Sequence, residues 1–167
     1  MSKQLLIVRH AKSDWNDASL SDFNRPLNNR GLKDAPIIGD NLLKNSYYPD
    51  LVISSPALRA LSTCKIVCKQ LGIDQSKIET NSNMYEASYQ QLLKIINGID
   101  NDFDKVAIFG HNNGVTDLTV YLTDADIFNI PTSGSVLISF PFDDWKMVSK
   151  GTGKIVFYEY PKNLTED

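Results

Sequence analysis

The stretch LLIVRH, residues 5–10, is a short apolar run that ends in two side chains able to carry positive charge, Arg9 and His10. The run VAIFGH, residues 106–111, ends in His111 in the same way, and these are the two histidines of the chain. Three or four consecutive apolar residues are typical of strands that are buried on both faces of a parallel sheet. Both histidines are therefore predicted to follow buried strands.

A third apolar run, LVISS at residues 51–55, ends four positions before Arg59. If the three runs are neighbouring parallel strands, Arg9, His10, Arg59 and His111 converge at one edge of the sheet. Open α/β sheets bind their ligands at that edge. The converging charge is positive, and the guanidinium fork of arginine matches phosphate oxygens. The pattern predicts an anion site, with phosphate as the first candidate.

Strand and helix signals alternate along the chain. Predicted strands cover 4–8, 51–54, 78–80 and 105–109, and predicted helices cover 28–44, 57–71 and 88–97, with a fourth helix starting near Asn113. The segments 135–140 and 154–160 read as two strands of an antiparallel edge. This order predicts an α/β fold, a three-layer α/β/α sandwich with a mostly parallel sheet, in one domain over residues 1–167.

Composition narrows the function classes. The formal net charge of −3 and the lack of a basic run argue against a nucleic-acid partner. No window approaches the length of a membrane helix, and the N-terminus lacks the features of a signal peptide, so we expect a cytoplasmic protein that does not bind membranes. Cys64 and Cys68 share the apolar stripe of a predicted helix, and we expect reduced core residues. The oligomeric state stays open.

A metal site is a competing use of two histidines. A catalytic zinc usually takes three protein ligands, and no third ligand is evident here. Two nearby arginines would also repel a cation. We therefore expect no metal and no cofactor, and a phosphoryl-transfer site that works by positioning and electrostatic stabilisation. A neutral imidazole can serve as its nucleophile and hold the phosphoryl group covalently.

Several ordered blocks resemble the histidine phosphatase (phosphoglycerate mutase-like) superfamily. They are LIVRHAKSDWN at residues 6–16, RPLNNRG at 25–31, PDLVISSPALRA at 49–60 with Thr63 following, and GHNNG at 110–114. The spacing and the short chain are most similar to SixA-type phosphohistidine phosphatases. The resemblance covers roughly residues 4–160, and it implies the phosphoglycerate mutase-like fold.

The resemblance also implies roles for individual residues. His10 would be the nucleophile that becomes phosphorylated. Arg9, Arg59 and His111 would hold the phosphoryl oxygens, with His111 stabilising the transition state. Because His10 must be neutral to attack while His111 helps most when protonated, we expect a bell-shaped pH–rate profile.

The resemblance also bears on three further positions. Asn16 matches a position that often contacts phosphate, although it could simply cap a loop. Arg25 would line the mouth of the site, or else lie solvated on the surface. Glu86 is the candidate general acid, and its alternative is a polar residue in the loop before the third helix. Ala11 stands where the family motif has glycine, so the local backbone must avoid the angles that only glycine adopts.

The spacing between Glu86 and His111 bears on the substrate. Only residues 87–110 separate them, 24 in all, whereas sugar-phosphate mutases of the superfamily usually carry a long insertion that covers the site. An open site favours a phosphate presented by a larger molecule, such as a phosphohistidine or another phosphorylated protein side chain. Two alternatives stay open, namely a phosphatase of small sugar or nucleotide phosphates and a non-catalytic module that binds phosphate or phosphoproteins.

Overall fold

A six-stranded sheet forms the middle layer of the molecule, whose computed structural model describes residues 2–161. The strands are β1 (Gln4–Arg9), β2 (Leu51–Ser54), β3 (Ile78–Thr80), β4 (Lys105–Gly110), β5 (Ser135–Ser139) and β6 (Lys154–Glu159). The main helices are α1 (Asn29–Lys44), α2 (Leu58–Gln70), α3 (Tyr89–Asn97) and α4 (Gly114–Thr123). Their bounds agree with the sequence-based prediction to within two residues.

The sheet has the order β3-β2-β4-β1-β5-β6. The first four strands of that order are parallel to one another, whereas β5 pairs with β1, and β6 with β5, in the antiparallel sense. The predicted antiparallel edge is thereby confirmed. Because β1 and β4 are neighbours in the middle of the sheet, the segments that follow them emerge side by side.

Alternate residues of β1 pack on opposite faces of the sheet, because successive side chains of a strand point to opposite sides. Leu5 and Ile7 belong to the core beneath α3 and α4, which includes Leu92, Ile96, Val115, Leu118 and Leu122. Leu6 and Val8 belong to the core beneath α1 and α2, which includes Ile38, Leu42, Cys64, Val67 and Cys68. The predicted three-layer sandwich is confirmed, and both cysteines are buried and free.

Local signals start the helices where the sequence predicts. The side chain of Asn28 accepts a hydrogen bond from the backbone N–H of Gly31 at the start of α1. Ser88 and Gln91 form a reciprocal capping box at the start of α3. Gly72 follows α2 with a φ of 73°, a left-handed conformation that glycine adopts without strain. Within residues 2–161, no helix combines the length and apolarity needed to cross a membrane.

Candidate active site

The two histidines are neighbours at the carboxyl ends of β1 and β4. Arg9 is paired with Gly110 in the parallel register, and the N–H of His10 donates to the carbonyl of Gly110 over 3.1 Å. The imidazole rings of His10 and His111 therefore face each other, with centroids 5.2 Å apart. Both rings are buried, with 7% and 8% of the residue exposed. The predicted convergence of the strand-end histidines is confirmed.

His10 has a single nitrogen free for chemistry. Its Nδ1 lies 2.7 Å from the carbonyl oxygen of Ala11. A carbonyl only accepts, so Nδ1 carries the proton and Nε2 keeps its lone pair. Burial lowers the pKa of His10 to about 3, with smaller lowering contributions from His111, Arg59 and Arg9. The ring is therefore neutral at physiological pH, which a nucleophilic imidazole requires.

His111 is also held neutral. Its Nε2 lies 2.7 Å from the hydroxyl oxygen of Ser55, the residue that follows β2. Burial, and next the charge of Arg59, lower the pKa of His111 to about 4, partly opposed by Asp22. This differs from the protonated His111 expected from sequence. In the protein without substrate, neither histidine changes its charge near pH 6.5. The two histidines therefore do not produce the acidic side of a bell-shaped pH–rate profile near that pH.

The two arginines flank the histidines. Arg9 donates from Nη1 to the carbonyl of Ile130 over 2.8 Å, and burial and the charge of Arg59 lower its pKa. Arg59 lies in the first turn of α2, where the helix N-terminus favours anions. Nε of both arginines and Nδ1 of His111 are buried without a hydrogen-bond partner in the described chain. Buried unpaired donors are costly, and an anion would satisfy the Nε–H groups of the two arginines.

A carboxylate that sequence reasoning missed lies at the mouth of this cluster. Oδ2 of Asp22 lies 3.0 Å from Nη2 of Arg59 and accepts a hydrogen bond from the hydroxyl of Tyr85 over 2.6 Å. Oδ1 of the same carboxylate pairs with Arg25. The pKa of Asp22 is lowered to about 2, first by the Tyr85 hydrogen bond, so the group is ionised at physiological pH. The loop between β1 and α1 thus forms one wall of the site.

Arg25 is buried rather than solvated, with 6% of the residue exposed. Its guanidinium pairs with Asp22, donates to the hydroxyl of Ser13, and stacks under the exposed ring of Trp15 with Cζ 3.4 Å from the ring centroid. These contacts hold the loop in place. Arg25 is therefore connected to Arg59 through the carboxylate of Asp22, which pairs with both arginines. The sequence did not indicate this connection.

Asn16 and Glu86 are exposed, and neither side chain makes a hydrogen bond or ion pair with a residue in 2–161. Asn16 is engaged through its backbone N–H, which donates to Asp14. Glu86 has a φ of 57° in the turn that follows Tyr85, whose ring lies against His111 with centroids 5.7 Å apart. The structure thus brings Arg9, His10, Arg59 and His111 together in one cluster. The side chains of Asn16 and Glu86 make no hydrogen bond or ion pair with it.

The motif residues around the cluster have structural explanations. Ala11 is fully buried and keeps a negative φ, as a residue with a Cβ prefers, and its N–H donates to the hydroxyl of Thr63 over 3.0 Å. Thr63 in turn donates to the carbonyl of Arg59. A Cβ on Gly31 would lie 2.1 Å from the carbonyl oxygen of Lys12, so glycine lets α1 approach the loop after His10. Among residues 2–161, no group of three or more His, Cys, Asp or Glu side chains is arranged to ligate a metal.

Comparison with known proteins gives the family. The model of the histidine phosphatase superfamily, branch 1, matches residues 5–120. The crystal structure of the putative phosphohistidine phosphatase SixA from Agrobacterium tumefaciens is similar with a TM-score of 0.81 at 26% identity, over 96% of this chain and 99% of that one. The phosphoglycerate mutase-like fold implied by the resemblance is thereby confirmed.

Two curated proteins are similar over most of the chain. An uncharacterized protein of Mycobacterium tuberculosis is 28% identical over 93% of this chain and 100% of its own length. An uncharacterized chloroplastic protein of Arabidopsis thaliana is 28% identical over 87% of this chain and 70% of its own length. Because the family model covers more than half of the sequence, and because the two histidines lie together at the carboxyl ends of β1 and β4, the chain belongs to branch 1 of the histidine phosphatase superfamily and is a histidine-dependent phosphatase.

Proposed function

We propose that this phosphatase hydrolyses phosphohistidine, or a related phosphate on a protein, through a covalent phosphohistidine on His10. The observation that carries the proposal is the state of His10. Its Nδ1–H is committed to the carbonyl of Ala11, and its Nε2 lone pair is free in an uncharged ring. Arg9, Arg59 and His111 lie close enough to lower the pKa of His10, and each carries a buried nitrogen without a hydrogen-bond partner among the described residues.

In the first step, Nε2 of His10 attacks the phosphorus atom. The Nε2–P bond forms as the bond from phosphorus to the substrate's imidazole nitrogen breaks, and that nitrogen takes a proton from solvent. The phosphorylated ring of His10 becomes cationic. Its Nδ1–H continues to donate to the Ala11 carbonyl, and a charge-assisted hydrogen bond of this kind is stronger than the neutral one it replaces.

In the second step, a water molecule attacks the phosphorus atom in line with His10. The new O–P bond forms as the Nε2–P bond breaks, and Nε2 recovers its lone pair. The water loses one proton to solvent, and inorganic phosphate leaves. The charges of Arg9 and Arg59 stabilise the equatorial oxygens in both steps, since they lie where the negative charge is spread.

A substrate with a nitrogen leaving group is consistent with the position of Glu86, the candidate acid, outside the contacts of the histidine–arginine cluster. An imidazole is easier to expel than an alkoxide, so a strong acid in fixed contact with the substrate is less necessary. Glu86, the candidate acid, is exposed and makes no hydrogen bond with the described residues. The resemblance to a structure named as a phosphohistidine phosphatase and the short segment 87–110 support the same substrate class.

The proposal is tested first by His10→Ala. We expect phosphatase activity on a phosphohistidine peptide and on an aryl phosphate to fall by roughly a thousandfold or more, because the nucleophile is lost. The circular dichroism spectrum should stay unchanged. Brief incubation of the wild type with a ³²P-labelled phosphohistidine peptide should label the protein, and His10→Ala should not be labelled. Full activity of the variant would overturn the mechanism.

A substrate panel tests the leaving group. We expect kcat/KM to be higher for a phosphohistidine peptide than for sugar phosphates or nucleoside monophosphates. Glu86→Gln should change turnover of the peptide little and slow turnover of alkyl monoesters more, if its carboxyl acts as the acid there. A preference for small monoesters would replace the proposed substrate class. Phosphate binding with no turnover of any substrate would indicate a binding module.

A further inference from the structure

We propose that Ser55 is a positioning residue for the reaction: its hydroxyl donates a hydrogen bond to Nε2 of His111, so that the neutral ring carries its proton on Nδ1. This inference rests on the proposed use of His111 as a donor to the phosphoryl group. Ser55 is fully buried at the end of β2, and its Oγ lies 2.7 Å from Nε2 of His111, 56 positions along the chain. Which ring nitrogen bears the proton is set by the partner of the other one.

The direction of this hydrogen bond follows from the other partner of the hydroxyl. Oγ of Ser55 accepts the backbone N–H of Ala57 over 3.2 Å, just before α2 begins. For the hydroxyl proton, the part of the chain that the structure describes offers one acceptor within hydrogen-bond distance, Nε2 of His111. If His111 donated instead, that hydroxyl proton would be buried and unpaired, which costs free energy. The favoured arrangement is therefore Ser55 donating to Nε2.

The consequence lies on the other nitrogen of His111. With Nε2 accepting, the neutral ring carries its proton on Nδ1, and this atom is buried with no hydrogen-bond partner among the described residues. Nε of Arg9 and Nε of Arg59 are in the same condition. Three unpaired donors, on three residues that all act electrostatically on His10, suit one anion. In the opposite tautomer, Nδ1 would present a lone pair to the phosphoryl oxygens and repel them.

This arrangement lets His111 donate a hydrogen bond without being charged. The low pKa of His111, caused mainly by burial, keeps the ring neutral at physiological pH, so its tautomer decides whether it helps or hinders. Both histidines would then carry their protons on Nδ1, with Ala11 holding that of His10 directly and Ser55 holding that of His111 indirectly. One nitrogen attacks and the other donates.

The direct test is the tautomer itself. In tag-free protein the imidazole signals come from two residues, so long-range ¹H–¹⁵N spectra assign them with His10→Ala as reference. We expect both rings of the wild type in the Nδ1–H form. In Ser55→Ala, His111 should move toward the Nε2–H form while His10 stays unchanged. A wild-type His111 in the Nε2–H form, or an unchanged ring in Ser55→Ala, would overturn the proposal.

Kinetics with a matched control complete the test. We expect Ser55→Ala to lower kcat/KM on an aryl phosphate by roughly 10- to 100-fold, the range seen when the partner that orients a metal-binding histidine is removed. Ser54→Ala removes a neighbouring, equally buried hydroxyl, which donates to the carbonyl of Ser55 and makes no hydrogen bond with His111, so it should lower kcat/KM much less than Ser55→Ala does. Equal losses in both variants would reduce the role of Ser55 to packing.

A second pair of variants covers the case in which Ser55→Ala does not fold. The amide nitrogen of asparagine mimics Nδ1 of histidine, and that of glutamine mimics Nε2. We expect His111→Asn to keep a higher kcat/KM than His111→Gln, because asparagine retains the donor for phosphate. The reverse order would overturn the proposal. A failure to turn over phosphohistidine would instead concern the substrate, since the tautomer spectra need none.

Discussion

The carboxylate of Asp22 is paired with the guanidinium of Arg59 across the mouth of the active site, with Oδ2 and Nη2 3.0 Å apart. The carbonyl of Asp22 accepts a second hydrogen bond from Nη1 of Arg59 over 2.7 Å. The loop between β1 and α1 therefore engages both terminal nitrogens of an arginine that is proposed to bind the phosphoryl group. A negative charge is thus fixed close to where the dianionic substrate must bind.

Asp22→Asn should tighten the binding of inorganic phosphate. The amide keeps a hydrogen-bond acceptor for Arg59 and removes the negative charge. Two unit charges about 4 Å apart in water interact by about 1 kcal/mol, so the inhibition constant of phosphate should fall roughly fivefold. Asp17→Asn, in the same loop and bonded to Ser19, should leave it unchanged. Weaker phosphate binding in Asp22→Asn would mean that the carboxylate mainly orients Arg59.

Arg59→Ala should remove a large part of the transition-state stabilisation. Loss of one such electrostatic donor costs on the order of 10²- to 10³-fold in kcat, and we expect a loss in this range from steady-state kinetics. Arg59→Lys should recover little of it, since an ammonium cannot reproduce the guanidinium fork. Arg30→Ala removes an exposed arginine of α1 that pairs with Asp34, and it should keep wild-type activity. A loss below about tenfold in Arg59→Ala would contradict the proposed role.

The stability of the protein should fall on mild acidification. The folded pKa values of His10 and His111, about 3 and about 4, lie below the ordinary value near 6.5. The unfolded chain therefore binds more protons between about pH 6.5 and pH 4, and the unfolding free energy decreases as the pH falls through that window. Each histidine contributes up to about 1.4 kcal/mol per pH unit there.

Urea denaturation at pH 7.0, 6.0, 5.0 and 4.5 would measure this slope. The double variant His10→Asn/His111→Asn should show a shallower dependence, because neither position can titrate. Asp22, with a pKa lowered to about 2, should lose its contribution only at lower pH and does not interfere in this range. Equal slopes in wild type and variant would show that the two rings titrate normally in the folded protein.

Gly31→Ala should destabilise the protein, although alanine is the better helix former. The new Cβ would lie 2.1 Å from the carbonyl oxygen of Lys12, so the loop after His10 would have to move. Overpacking of this kind costs about 1–3 kcal/mol, and activity should fall as well. Gly98→Ala is the control, since its Cβ would meet its nearest atom at an ordinary 3.5 Å. A Gly31→Ala variant as stable as the wild type would contradict the close approach.

The strands and the central cluster could be predicted because their signals are local. Apolar runs mark β1 and β4, and a residue that directly follows a buried parallel strand must emerge at the carboxyl end of the parallel strands. The convergence of Arg9, His10, Arg59 and His111 was predicted on this ground, and the blocks that resemble the family supplied the roles implied for them. The antiparallel edge, β5 and β6, was likewise indicated by two strand-like runs without a helix between them.

The roles of Asp22 and Ser55 could not be predicted in this way. Asp22 lies in a polar loop without periodicity, and its partners Arg59 and Tyr85 are 37 and 63 positions away. Ser55 belongs to a recognisable block, yet its contact with His111 depends on the packing of β2 beside β4. Arg25 was expected to line the mouth of the site or to lie solvated on the surface, and the solvated alternative is wrong, because the structure buries Arg25 beneath Trp15 and pairs it with Asp22.

The sequence by itself determined the layered fold, the family and the expectation that two histidines and two arginines converge, because the hydrophobic period and the alternation of strands and helices are properties of short segments. The tertiary structure alone decided the chemical state of those histidines. Burial lowers both pKa values, and the contacts with Ala11 and Ser55 select which nitrogen of each ring is free. Desolvation and hydrogen-bond geometry arise only when distant segments pack together, so no local pattern in the sequence reports them.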